Sequence, residues 1–219
     1  MSDQISKTLA SVQSSMTRIV GVYLLPIEAA DMVKTLSSKI RERGAGVSQW
    51  AAFIGQHENG GLRQVVTRNG NLALTRMTPI IDTDVEPDLW AKEVVSELLA
   101  TMSYLTRLGY KEGDGLDIII AANESAKEPL NQLVNIDCKL EVLNIQELSS
   151  LLGVTLSNQK DDRYADHLYA AYFAKKVKLR LPLHIKNLNG FILPRRAATF
   201  MLVLLAGAIA YFGYSTFQK

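Results

Sequence analysis

Between residues 47 and 109 the apolar positions change period. Val47–Gly55 is a half-apolar run carrying Val47, Trp50, Phe53 and Ile54. Leu62–Arg68 and Leu72–Pro79 flank Asn69-Gly70. Asn-Gly between two β-type runs marks a two-residue hairpin, because that turn needs positive φ at both central positions. The register it sets puts Val65 opposite Leu74, Thr67 opposite Leu72, and Arg63 opposite Arg76. The last is a like-charge pair that calls for an open end or an acidic group. From Pro87 the spacing turns helical: Trp90, Val94, Leu98, Met102 and Leu105 form a stripe that Ala91, Val95 and Leu99 widen, and Gly109 closes it. At 1.5 Å per residue this helix runs about 33 Å, enough to cross a sheet.

Farther on, Leu116–Ala122 (LDIIIAA) is nearly continuous in apolar residues, as expected of a strand buried on both faces. Asn123–Val134 reads as a helix with Pro129 near its first turn, Lys139–Leu143 as a short strand, and Ile145–Leu152 as a short helix stopped by Gly153. The order β-β-β-α-β-α-β-α over residues 47–156 is that of an α/β, ribonuclease-H-like mixed sheet: an antiparallel meander extended by parallel strands, with helices over its faces. Before it, Arg18–Leu25 is a β-rich run ended by Pro26. Glu28–Arg43 is an amphipathic helix ended by Gly44, with Ala29, Met32, Val33, Leu36 and Ile40 on one face. This strand-helix unit finds no partner strand before residue 47, so residues 1–46 read as a leader and the remnant of another half-domain. Residues 1–16 lack the basic and apolar regions of a signal peptide.

Residues 157–196 hold a polar linker, a helix at Tyr164–Lys176, and an irregular stretch broken by Pro182, Gly190 and Pro194. Then Ala197–Phe217 runs 21 residues without a charge. That is long enough to cross about 30 Å of hydrocarbon. Arg195 and Arg196 precede it, and Tyr211, Phe212 and Tyr214 stand near its far end. By the positive-inside rule this is a single-pass anchor with the globular part in the cytoplasm and the C-terminus outside. Ala206, Ala210 and Gly213 share one face of the span, where small residues permit close helix–helix approach and a homodimer.

Global charge adds little: 24 Lys+Arg against 22 Asp+Glu gives +2, which points to no nucleic-acid partner. Its distribution says more, since no acidic residue follows Asp166. A single cysteine, Cys138, excludes an internal disulfide and reads as a small buried residue entering a strand.

Two chemistries belong to this strand order. A two-metal nuclease needs an Asp on the first strand, and Val47–Gly55 holds no acid. Glu93, Glu97 and Asp117 remain, but Glu93 and Glu97 at i, i+4 form a solvated face. A nucleotide clamp instead uses glycine N–H groups in the first hairpin turn. Here the turn is Gly55–Gly61, where Gly60 and Gly61 bring backbone close to a phosphate and Arg63 stands just beyond, but no Asp begins it. His57, His167 and His184 have no metal-ligand spacing.

The hairpin GGLRQVVTRNGNLALTR, the helix ending TMSYLTRLGY and the strand LDIIIAA resemble the second half of the actin-like cytoplasmic domains of type IV pilus and type II secretion assembly proteins, the PilM and GspL families. The single span entered from a basic side is closer to the GspL type. The resemblance implies a non-enzymatic inner-membrane scaffold, coupling a cytoplasmic assembly ATPase to other platform proteins. It leaves an actin-like nucleotide-binding fragment, or a tethered adaptor unrelated to pili, as alternatives. The first-half phosphate-binding strand and turn are missing, and so is a domain beyond the span. This reads as a fragment or reduced member with no bound cofactor, ATP included.

Overall fold

The computed structural model describes residues 7, 8, 10–12, 22–41, 48–58, 61–80, 86–156, 164–176, 179, 200–211 and 214. It divides into one unit at Leu24–Leu181 and another made of Met1–Tyr23 with Pro182–Lys219.

In the larger unit the elements are α1 (Leu25–Arg41), β1 (Trp50–His57), β2 (Gly61–Arg68), β3 (Asn71–Thr78), α2 (Pro87–Arg107), β4 (Leu116–Ala121), α3 (Glu124–Leu133), β5 (Lys139–Leu143), α4 (Ile145–Leu152) and α5 (Ala165–Lys175). The sheet order is β3-β2-β1-β4-β5. β1, β2 and β3 are antiparallel neighbours, while β4 runs parallel to β1 and β5 parallel to β4. The expected meander extended by parallel strands is therefore present, as a mixed sheet with helices on both faces. Asn69 at φ 51° and Gly70 at φ 76° make the expected left-handed turn.

Alternate residues of the central strands feed two cores. Trp50, Ala52, Ile54, Leu62, Val66, Ile118 and Ile120 pack under α2 and α3. Ala51, Phe53, Val65, Ile119 and Ala121 pack under α1, α4 and α5. All six residues of β4 are buried, as its unbroken apolar run requires. A side chain of this size contributes about 1.5–3 kcal/mol when fully buried.

Three expectations need correction. α1 does not belong to a separate half-domain. Ala29, Met32, Val33, Leu36 and Ile40 share a core with Phe53, Val65 and Ile119, so α1 is a layer of this domain. Its apolar stripe needed a sheet, and the second face of this sheet needed a helix. The helix also starts earlier, taking in Leu25 and Pro26; proline is tolerated there because first-turn N–H groups have no intrahelical acceptor. Of the predicted strand before it, residues 18–21 lie outside the described residues.

The second correction is to β2–β3. Thr67 does face Leu72, but Ala73 is bulged out, and beyond it Val66 faces Leu74, Val65 faces Thr75 and Gln64 faces Arg76. One extra residue flips every following side chain to the other face. Arg63 and Arg76 therefore never meet. The third is Pro129, which sits in the second turn of α3, because the helix begins only at Glu124.

Two polar ties hold the helices to the ends of the sheet. Asp117, 1% exposed on β4, accepts from Ser37 Oγ (2.6 Å), Ser48 Oγ (2.7 Å) and Arg41 Nε (2.8 Å), with Arg41 Nη2 also at 2.7 Å. The carboxylate left over from the nuclease pattern is thus spent on clamping α1. At the other end, Lys127 of α3 pairs with Glu147 of α4 at 3.0 Å, and Glu147 closes a capping box with Asn144. Burial opposes the Glu147 carboxylate, but the Asn144 N–H and the Lys127 ammonium outweigh it and hold its pKa below the usual range.

In the smaller unit, 200–211 is helical. Phe200, Met201, Leu202, Val203, Leu204, Leu205, Ile209 and Tyr211 are each 58–72% exposed. Among the described residues no helix is long and apolar enough to cross a membrane. The remainder of the predicted span except Tyr214, with Arg195, Arg196 and Gly213, lies outside them.

Asp117→Ala should cost about 3–5 kcal/mol, because it strands the Arg41 guanidinium against a buried wall; the urea midpoint of the full chain checks this. A carboxylate with a depressed folded pKa stabilises above its unfolded pKa and loses that contribution as pH falls through the folded value. Glu147→Gln should therefore flatten the loss of stability between about pH 5 and 3, read from urea midpoints at stepped pH.

Candidate functional site

Apart from the Asp117 clamp, a set of polar groups converges where β1 ends. The β1–β2 ladder continues to His57 opposite Gly61, so Gly55, Gln56 and His57 are strand residues. The connection is residues 58–60, shorter than the expected turn at Gly55–Gly61. α5 crosses beneath it. A Cβ on Gly55 would stand 2.7 Å from Ala165 Cβ, so the missing side chain is what lets the first turn of α5 seat against β1.

That seating puts Asp166 beside His57. His57 Nδ1 and Asp166 Oδ1 are 2.7 Å apart, and the second carboxylate oxygen accepts from the Glu58 backbone N–H at 2.9 Å. Arg63 Nε lies 3.2 Å from His57 Nε2. A guanidinium N–H only donates, so Nε2 is the acceptor and the neutral ring carries its proton on Nδ1, facing Asp166. Tyr169 stacks on the imidazole, with ring centroids 5.6 Å apart and 14° between planes. Its hydroxyl is buried and has no hydrogen-bond partner among the described residues. Burial pushes the Tyr169 phenol far up; Arg63 opposes this and Asp166 adds to it.

An Asp–His pair is half of an acid–base device, but its working nitrogen here is occupied by Arg63 instead of facing a nucleophile. The arrangement is a latch: Asp166 ties α5 to the end of β1, and Arg63 braces the ring from β2. Arg63 Nη2 also reaches Met77 Sδ on β3, at 3.2 Å.

Of the residues chosen for phosphate, Gly60 lies outside the described residues. Gly61 opens β2, and a Cβ on it would meet Met77 Cε at 3.0 Å and the Thr78 carbonyl oxygen at 3.3 Å. Its bareness accommodates β3. Arg76 is on the opposite face, bound to Glu97 at 2.9 Å and to Thr101 Oγ1 at 2.8 Å, while Thr101 donates to Gln64. The acidic group expected for Arg76 is therefore on α2 of this chain. Ala206 and Ala210 are exposed on the 200–211 helix. Asp166 and Tyr169 were missed. They are 109 and 112 positions from His57, and no local pattern announces the pairing; the only signal was Asp166's place as the chain's last acid.

Two cavities lie elsewhere. One of about 620 Å³ between α2 and α3 is lined by Asp88, Lys92, Glu124, Glu128 and Gln132. One of about 280 Å³, where β4 and β5 begin, is lined by Ser48, Tyr110, Asp137, Cys138 and Lys139. Burial, then Asp137 and Asp117, pushes the Cys138 thiol up to about 11, so it is no ready nucleophile at neutral pH. Among the described residues no His, Cys, Asp and Glu side chains are grouped to hold a metal ion.

No protein-family model and no curated protein matches the chain. Among solved structures it is similar to a Bacteroides thetaiotaomicron VPI-5482 protein described as having an actin-like ATPase fold and unknown function. The likeness has a TM-score of 0.35 and 13% identity, over 55% of this chain and 44% of that one. The chain thus spans less than half the length of that structure, and the strand order above rests on the sheet itself.

Gly55→Val should push α5 off β1 and cost about 1–3 kcal/mol, as overpacking does. The disturbance should be local: the NMR signals of the His57 ring and the Tyr169 side chain move, while those of Trp90, on the other face, do not.

Proposed function

We propose that this chain is a non-enzymatic scaffold of the PilM/GspL kind, anchored in a bacterial inner membrane through Ala197–Phe217. In this reading its cytoplasmic domain couples an assembly ATPase of a type IV pilus or type II secretion system to other platform proteins. One observation carries it. At the mouth of the first hairpin, where an actin-like domain would receive phosphate, the described polar groups already answer one another. Asp166 holds the Glu58 N–H and the His57 ring, Arg63 is engaged by His57 and Met77, and Gly61 is closed over by β3. A phosphate arriving there would meet a carboxylate first.

Two further features support the reading. The order β3-β2-β1-β4-β5 is the ribonuclease-H-like order that actin-like domains are built on. The helix at 200–211 is apolar around its circumference, a pattern that belongs in hydrocarbon or against a partner.

Purified full chain in detergent should give no calorimetric signal with Mg-ATP at micromolar concentrations, and should retain a candidate assembly ATPase in pull-down. Micromolar ATP binding that Arg63→Ala abolishes would overturn the reading in favour of a nucleotide-binding fragment. A reporter fused after Lys219 should be active only if it is one that folds in the periplasm. A cytoplasmic-only signal would overturn the orientation.

A further inference from the structure

Arg63 and Asp166 place opposite demands on the two nitrogens of His57. Nδ1–H donates to Asp166 in either protonation state of the ring. Nε2 accepts from Arg63 Nε only while the ring is neutral. A proton on Nε2 turns the acceptor into a donor facing another donor, and puts two positive charges about 3 Å apart. The Asp166 contact, already charge-assisted through the carboxylate, meanwhile becomes a pair of opposite charges and strengthens. His57 is 6% exposed, Arg63 is partly exposed, and the Asp166 side chain is 41% exposed, so Arg63 has water to move into.

We propose that His57 is a proton-operated switch on the hairpin mouth. At neutral ring charge Arg63 is a strut between β2 and β1. On protonation Arg63 is expelled into solvent, and His57 grips α5 more tightly through Asp166. The groups facing the ring decide the direction. Asp166 of α5 favours the imidazolium, and Arg63 of β2 opposes it. Tyr169 of α5 stacks on it as a neutral phenol, and the acidic side chain of Glu58, one residue past β1, is exposed. Met77 of β3 and the Gln56–Trp90 hydrogen bond bring no charge to the cluster. The device goes beyond the scaffold reading and does not depend on it, since it needs no partner and no membrane.

The test is NMR of the isotope-labelled full chain in detergent micelles, with pH stepped from 8 to 5. At pH 8 the His57 ring should be the Nδ1–H tautomer, with the Arg63 Nε–H protected from exchange. On acidification the Arg63 Nε–H should shift and lose protection with the same midpoint as the His57 ring. Arg63→Met and Asp166→Asn should move that midpoint in opposite directions. Should either variant fail to fold, the two wild-type resonances decide alone. An Nε2–H tautomer at pH 8 overturns the switch. So does an Arg63 signal indifferent to the His57 titration, or a ring that stays neutral down to pH 5.

Discussion

A charge on a strand covered on both faces must be answered from within the fold, and Asp117 sets the terms for one end of this domain. β4 lies between two cores, so Asp117 meets no bulk water, and an unpaired carboxylate there would cost several kcal/mol. Its partners come from two places: Ser37 and Arg41 from the last turns of α1, and Ser48 from the approach to β1. Arg41 Nη2 also takes the Ser48 carbonyl, so the chain entering β1 is drawn to the same point. The geometry of one residue thus fixes how α1 ends, where β1 begins, and which side of the sheet α1 covers.

The bulge at Ala73 plays the corresponding part for the two arginines. Without it the Asn-Gly turn would align Arg63 with Arg76, and the hairpin would carry an unanswered repulsion. With it, Arg76 falls over α2, where Glu97 and Thr101 receive it, and Arg63 falls over α5, where His57 does. Two like charges are separated by the thickness of the sheet at the cost of one unpaired residue. The apparent invitation to an acidic partner is answered by the chain's own helices.

Most of the scaffold was legible because periodicity is a local signal. The continuous run at Leu116–Ala122 announced a strand buried on both faces, and Asn69-Gly70 announced its turn with no knowledge of the rest. The misreadings share one cause, which is that they depend on contacts distant in sequence. Nothing near Glu28–Arg43 says which sheet its stripe covers; that follows from Phe53, Val65 and Ile119 needing a lid. Nothing near Ala73 demands a bulge, since the flanking residues suit either register, and the choice falls to Glu97 on another element. The site suffered most. Asp166 and His57 are an ordinary acid at a helix start and an isolated histidine, and only the seat of Ala165 on Gly55 makes them a pair.

α5 shows why that pair matters beyond its own hydrogen bonds. The acid-free, basic segment follows α5 in the chain. The helix is attached to the domain at both ends and in the middle. Asp166 joins its first turn to β1, Tyr169 stacks on His57 and meets Phe53 edge-on, Lys175 reaches the Gly153 carbonyl that ends α4, and Lys176 pairs with Asp31 on α1. Those contacts tie α5 to one strand and two helices. The hydrogen bonds of His57, Arg63 and Asp166 are also the ones that seat α5, so a change at the β1–β2 mouth is a change in how this helix is held.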